Sequence, residues 1–252
     1  MTVILEAAGL SVNFGGVQAL DSVSFSLSQG ELLGLIGPNG AGKTTALRAV
    51  TGMVVPGDGS VHVGGRDVSR APIHERVRLG LGMSQQLVRP FRSMTVADNV
   101  TLAAGFAKTR APLAALFQRH RADEKRRALE LLDLVGIADA ADTMPAKLPL
   151  GYLKRLEVAR ALALSPHMLL LDEPLAGLNH VEAGRMADTI QALNREGFSI
   201  VLIEHNLGEV LRICSRLVVL DNGRNLSAGE PKKVMAEPAV RAAYLGEGVG
   251  NA

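Results

Sequence analysis

The chain has 252 residues, of which 47% are hydrophobic, and 27 Lys and Arg against 25 Asp and Glu leave a formal net charge of +2. That length can bury a sizeable core, as one large domain or a core with a lobe, and the apolar content leaves no case for disorder. Aromatics at 3% and the absence of Trp give neither a basic footprint nor many stacking platforms, which argues against a nucleic-acid partner.

The single cysteine, Cys214, excludes an internal disulfide and reads as a core residue in a reducing compartment. No apolar run approaches the roughly 18 to 20 residues that span a bilayer, and residues 1–16 lack a charged stretch followed by an apolar one. The expectation is a soluble, cytoplasmic chain, free to dock on a membrane partner.

The first 30 residues alternate apolar and polar positions, as in Val23-Ser24-Phe25-Ser26-Leu27, and predict strands with one wet face. Glu31 to Ile36 is a short apolar run that ends in a Gly-rich loop, and a helix pattern runs from Gly42 to Thr51. The turn-like Pro56-Gly57-Asp58-Gly59 precedes a short strand at Ser60 to Val63. From Thr95 to Ala163 the residues are helix formers, broken at Pro112, Gly136 and Pro145, and predict an inserted helical lobe. Strand runs return at Met168 to Leu171, Ser199 to Ile203 and Arg216 to Leu220, with a helix pattern from Val181 to Arg195. This alternation predicts an α/β protein whose mostly parallel sheet is covered on both faces. The expected division is one domain, with a core over residues 1–92 and 164–245, the lobe over 93–163 and a loose tail over 246–252.

Gly37-Pro38-Asn39-Gly40-Ala41-Gly42-Lys43-Thr44 fits G-x-x-x-x-G-K-[ST], following a strand and opening a helix, the context the pattern requires. Glycines let the backbone turn so that successive N–H groups face phosphates at the positive end of a helix. Lys43 adds a charge between those phosphates, Thr44 offers a hydroxyl to Mg²⁺, and Thr45 completes the candidate set. The loop alone denotes a nucleotide phosphate site, as in kinases, GTPases and ATPases. Met168 to Glu173 narrows this: a buried strand ends in Asp172, placed to hold magnesium through water, and Glu173, placed to polarise a water. That pairing argues for nucleotide hydrolysis.

In chain order Phe14, the phosphate loop, Gln86, Asp172-Glu173-Pro174, Leu175-Ala176-Gly177-Leu178-Asn179 and His205 resemble the ATP-binding subunit of ABC transporters. The resemblance covers nearly the whole chain. It implies a P-loop NTPase (RecA-like) core with an antiparallel β subdomain and a helical lobe, and ATP with Mg²⁺ as cofactors. It also implies ATPase activity at the cytoplasmic face of the membrane. Phe14 would stack on adenine, Gln86 would reach the magnesium and the attacking water, and His205 would hold the γ-phosphate and the Glu173 water. Gln85 directly precedes Gln86, whose assignment rests on the alignment of Leu87 to Phe91. No Asn-Lys-x-Asp motif occurs, which favours ATP over GTP.

More narrowly, Phe14-Gly15-Gly16, Met94-Thr95-Val96 with Asn99, Ile203-Glu204-His205-Asn206 and Tyr244-Leu245-Gly246-Glu247 resemble the larger ATPase subunit of branched-chain amino acid importers. ATPases for urea, amides or lipopolysaccharide export share parts of that set, the last in particular Glu204-His205-Asn206 and the Tyr244-to-Glu247 ending. The implied partners are a second ATPase subunit, two transmembrane permeases and, indirectly, a substrate-binding protein. The basic cluster Arg119 to Arg127 reads as a solvated helix face or a contact with lipid headgroups or the permease. A non-transport ABC ATPase is the rival reading, without the long coiled coils, cysteine-rich insertions or tandem units such proteins carry. A small-molecule kinase is the other.

One stretch departs from the family. Where it usually reads L-S-G-G-Q, this chain has Leu148-Pro149-Leu150-Gly151-Tyr152, followed by Leu153-Lys154-Arg155. In the family that segment opens a helix toward the γ-phosphate held by the opposite subunit. Pro149 removes a hydroxyl and an N–H donor but suits a helix start, and the Gly151 N–H remains. The resulting expectation is a heterodimer, with a homodimer as the alternative, in which the site on this chain's own nucleotide is the complete one if the companion has an ordinary motif. The other reading is a branch that tolerates the sequence with normal turnover.

Overall fold

The computed structural model describes residues 2–84, 89–105 and 122–245. Strands β1 (Val3–Phe14) and β2 (Val17–Ser28) pair antiparallel across a Gly15-Gly16 turn, with Phe14 opposite Val17, as tight hairpins require. Their alternating pattern buries Leu20, Val23, Phe25 and Leu27 on one face. Strands β4 (Asp58–Val63) and β5 (Arg66–Asp67) complete a four-stranded antiparallel sheet in the order β2-β1-β4-β5.

The second sheet holds β3 (Leu32–Ile36), β6 (Leu81–Ser84), β7 (Met168–Asp172), β8 (Ser199–Ile203), β9 (Arg216–Asp221) and β10 (Arg224–Gly229) in the order β10-β9-β3-β8-β7-β6. All its pairings are parallel except that of β10 with β9. Every residue of β3, β7 and β8 is buried, so period-2 exposure is lost, but period-2 packing survives. Leu169, Leu171, Ile200 and Leu202 enter the core beneath the helices. Met168, Leu170, Val201 and Ile203 face the core shared with the antiparallel sheet. Both faces are therefore covered, the condition for a parallel sheet.

The helices of the described residues are α1 (Lys43–Thr51), α2 (Ile73–Arg78), α3 (Val96–Ala104), α4 (Ala122–Leu134), α5 (Leu150–Ala163), α6 (His180–Arg195), α7 (Leu207–Ile213), α8 (Pro231–Ala236) and α9 (Pro238–Leu245). None is long and apolar enough to cross a membrane. Helices α3, α4 and α5 pack on one another. The expected break at Gly136 follows α4, where the N–H groups of Gly136 and Ile137 reach back to Asp133 and Leu132, closing the helix end. The break at Pro145 is a short 3-10 turn, and that at Pro112 lies outside the described residues, as does the tail from Gly246. Arg126 and Arg127 lie on the exposed surface of α4, paired with Asp123 and Glu130, as a solvated face would be. Cys214 is a core residue whose thiol burial pushes up to about 12.

Three strands escaped the sequence reading, the two-residue β5 among them. Gly80 and Gly82 give β6 the composition of a loop, and β10 is an edge strand with no fully buried residue. Parallel register brings the carboxyl ends of β3, β7, β8 and β9 to one rim, with Leu35 and Asp172 both opposite Ile203, and Ile36 opposite Val219. In α/β sheets that rim is where ligands bind.

Candidate functional site

The loop between β3 and α1 is built against backbone. Gly37 has φ +148° and Gly42 φ +97°, and a Cβ on either would meet the Leu220 or Ala19 carbonyl at 2.0 or 2.7 Å. No larger residue fits those two positions. The Gly223 N–H donates to the Ala41 carbonyl and the Asp21 N–H to the Gly223 carbonyl, so the turn after β9 clamps the loop onto β2.

A cavity of about 200 Å³ opens there, lined by Ala19, Asn39, Gly40, Ala41, Gly42, Lys43, Thr44, Thr45, Glu173 and His205. The sequence singled out all of these but Ala19. Lys43 is 5% exposed, and its Nζ donates to the Gly37 and Pro38 carbonyls at 2.7 and 2.8 Å. Thus the ammonium sits inside the loop it would share with a phosphate chain.

Glu173, directly after β7, has φ +50°, a conformation that costs a non-glycine residue roughly 1 to 3 kcal/mol and persists where surroundings over-determine it. Its N–H donates to the Ile203 carbonyl at 3.0 Å. Its carboxylate Oε1 stands 2.9 Å from His205 Nε2; an ionised carboxylate only accepts, which assigns the proton to Nε2. Asn206, the next residue, caps α7 through the Glu209 N–H, and this fixes the direction in which His205 leaves the strand.

Asp172 is 4% exposed, and its Oδ1 is a buried oxygen with no hydrogen-bond partner. Burial first, then the neighbouring Glu173, raises its pKa against the pull of Arg48, Lys154 and Lys43. An uncompensated buried carboxylate oxygen suits a divalent cation. Among the described residues no three His, Cys, Asp or Glu cluster into a metal cage. Magnesium needs no such cage, since it takes one or two protein oxygens and completes its shell with substrate phosphates and water.

Of the predicted residues, Gly37, Pro38 and Asp172 lie outside the cavity lining, and so do Phe14 and Gly151. Phe14, at the end of β1, is 49% exposed, a ring offered to solvent and not a core residue. Gly151 lies at the start of α5, which begins at Leu150 with Pro149 as its cap. Gln86 lies outside the described residues. The segment beyond it is held by fully buried Asn99, which accepts from the Phe91 N–H and donates to the Phe91 and Thr95 carbonyls.

Sequence reasoning passed over Lys154 and gave Glu204 no chemical role; both are ionisable and buried. Burial lifts Glu204 to about 7 although it accepts backbone N–H groups, and Glu173 adds to the rise. A signal existed. Glu204 ends an apolar strand just as Asp172 does, and Lys154 falls on the stripe of Val158, Ala161 and Leu162.

Residues 20–176 match a family model described as ABC transporter. The chain is similar to the lipopolysaccharide export system ATP-binding protein LptB of Acidithiobacillus ferridurans, 36% identical over 247 residues that cover 98% of each chain. It is equally similar to the high-affinity branched-chain amino acid transport ATP-binding protein LivG of Salmonella typhimurium, 36% identical over 255 residues, covering 97% of this chain and 98% of that one. Among solved structures, an ATP-binding cassette of an ABC transporter in its ADP conformation matches with a TM-score of 0.85 and 29% identity, over 98% of this chain and 100% of that chain.

Proposed function

This chain belongs to the ABC transporter ATP-binding family, and from that premise we propose that it hydrolyses ATP to power import of branched-chain or other hydrophobic amino acids. The family hydrolyses ATP, and its subunits dimerise and work with transmembrane permeases. The observation that carries the hydrolytic site is the single cavity in which the phosphate loop, Glu173 and His205 meet.

In this reading the phosphate chain lies along residues 37–45, drawing Lys43 from the Gly37 and Pro38 carbonyls, while Phe14 stacks on adenine. Thr44, Asp172 and Gln86 would hold Mg²⁺, which would neutralise charge on the phosphates. Glu173 takes a proton from the attacking water. His205 first orients that carboxylate and then serves the γ-phosphate. Gly151 and the start of α5 serve the nucleotide of a second ATPase subunit, whose own motif completes the site on this chain. Core and helical lobe act as one ATPase domain on the cytoplasmic face of the membrane, and a substrate-binding protein delivers the solute to two permeases.

Amino-acid import is favoured by the residue sets around Phe14 and Asn99 and by the similarity to LivG. Lipopolysaccharide export is the second reading, favoured by the equal identity to LptB. Purifying the chain with its membrane subunits and measuring ATPase activity separates them. Stimulation by a leucine-loaded binding protein supports import; stimulation by lipopolysaccharide alone supports the other.

A further inference from the structure

Two buried ionisable side chains stand behind Glu173, and the hydrolytic step as described uses neither. Lys154, in the second turn of α5, is 5% exposed, and Glu204, just past β8, is 3% exposed. Lys154 Nζ donates to the Glu173 carbonyl at 3.0 Å, an oxygen that also accepts the Ala176 N–H at 3.2 Å. Glu204 Oε1 accepts the Leu175 N–H at 2.6 Å, and its Oε2 accepts the His205 N–H at 3.2 Å. The backbone around Glu173 is thus gripped from α5 through Lys154 and from the end of β8 through Ile203 and Glu204.

An ammonium on the apolar stripe of a helix is costly unless something compensates it. Packing alone would be served by an apolar side chain, as at Val158, Ala161 and Leu162. Burial lowers the Lys154 pKa, while Glu204, Glu173, Asp172 and Glu157 hold its proton on. The task visible in the structure is at the Glu173 carbonyl. That peptide follows a left-handed residue, and rotating it would swing the carboxylate away from His205.

We propose that Lys154 is a positioning residue for ATP hydrolysis, its ammonium locking the left-handed backbone of Glu173 and so tying the aim of that carboxylate to helix α5. The proposal rests on the reading of Glu173 as the base. Glu204 completes the brace by securing Leu175 on one side and His205 on the other. Because α5 starts at the altered Pro149-to-Tyr152 stretch, the segment that would face a second subunit's nucleotide is mechanically joined, through one side chain, to this chain's own carboxylate.

The test compares full-length Lys154→Met, Lys154→Arg and Glu173→Gln by ATPase kinetics, titration with a fluorescent ATP analogue and thermal melting. Lys154→Met is expected to lower kcat at least fivefold with the nucleotide Kd within twofold of wild type, and Lys154→Arg to restore kcat to within twofold. A smaller fall in kcat, or a fall matched by equal losses of nucleotide affinity and melting temperature, overturns the proposal. Lys154→Ala carries the same expectation should the methionine variant not fold. Turnover retained in Glu173→Gln removes the base itself; turnover lost there but kept in Lys154→Met removes only the role of Lys154.

Discussion

Glu173 Oε1 and His205 Nε2 stand 2.9 Å apart, although 32 residues separate them in the chain. The two follow adjacent parallel strands, with Asp172 in register with Ile203. Their approach is a product of the sheet. Replacing the imidazole removes the group that aims the carboxylate and leaves the phosphate loop intact. His205→Ala should lower kcat on the order of 100-fold, as loss of a preorganised group at a reacting centre does, with ATP affinity little changed. Steady-state kinetics beside nucleotide titration checks this, and a kcat within threefold of wild type would count against it.

Glu204 gives the fold a pH dependence with a definite sign. Its pKa is raised from 4.5 to about 7 in the folded chain, so between those values the folded state holds more protons than the unfolded one. The stabilisation is fully present below about pH 4.5 and is lost as pH rises through about 7. At 1.36 kcal/mol per unit the component is at most about 3 kcal/mol. Asp172, raised as well, acts in the same direction in both proteins. Chemical denaturation at pH 5 and pH 8 should therefore show Glu204→Gln gaining stability relative to wild type at the higher pH. Parallel curves would sink the assignment.

The altered helix start is testable separately. Pro149 caps α5 with no side-chain hydrogen bond, and the Tyr152 hydroxyl donates to Asp139 Oδ2 at 2.9 Å. Pro149→Ser with Tyr152→Gln adds a capping hydroxyl, worth about 1 kcal/mol, and removes an exposed bond worth less. ATPase activity of the assembled complex should rise, by about tenfold or more if one hydrogen bond to a charged phosphate, worth roughly 1.5 to 3 kcal/mol, is regained. Unchanged activity would mean that the natural sequence carries no defect.

Much of this was legible in the sequence, for physical reasons. Gly37 to Thr44 compresses a turn, a helix start and a charge into one short segment. Asp172, Glu173 and His205 each stand at or just beyond the end of an apolar strand. What stayed hidden depends on approach in three dimensions. The parallel strands are buried on both faces, so no alternation announced which residues met which core. β10 is polar because it lies at an edge. Lys154 reads as an ordinary helix residue until α5 brings it to the Glu173 carbonyl, and Glu204 reads as a motif letter until its carboxylate reaches the Leu175 N–H.

The central claim is that Glu173 takes the proton from the water that attacks ATP. Glu173→Gln keeps the shape of the side chain and its reach to His205 but cannot accept that proton. Single-turnover hydrolysis should fall by at least about 100-fold, the scale of a lost general base, while the ATP Kd stays within about threefold of wild type. Hydrolysis at a rate near that of wild type, with ATP bound normally, would contradict the account.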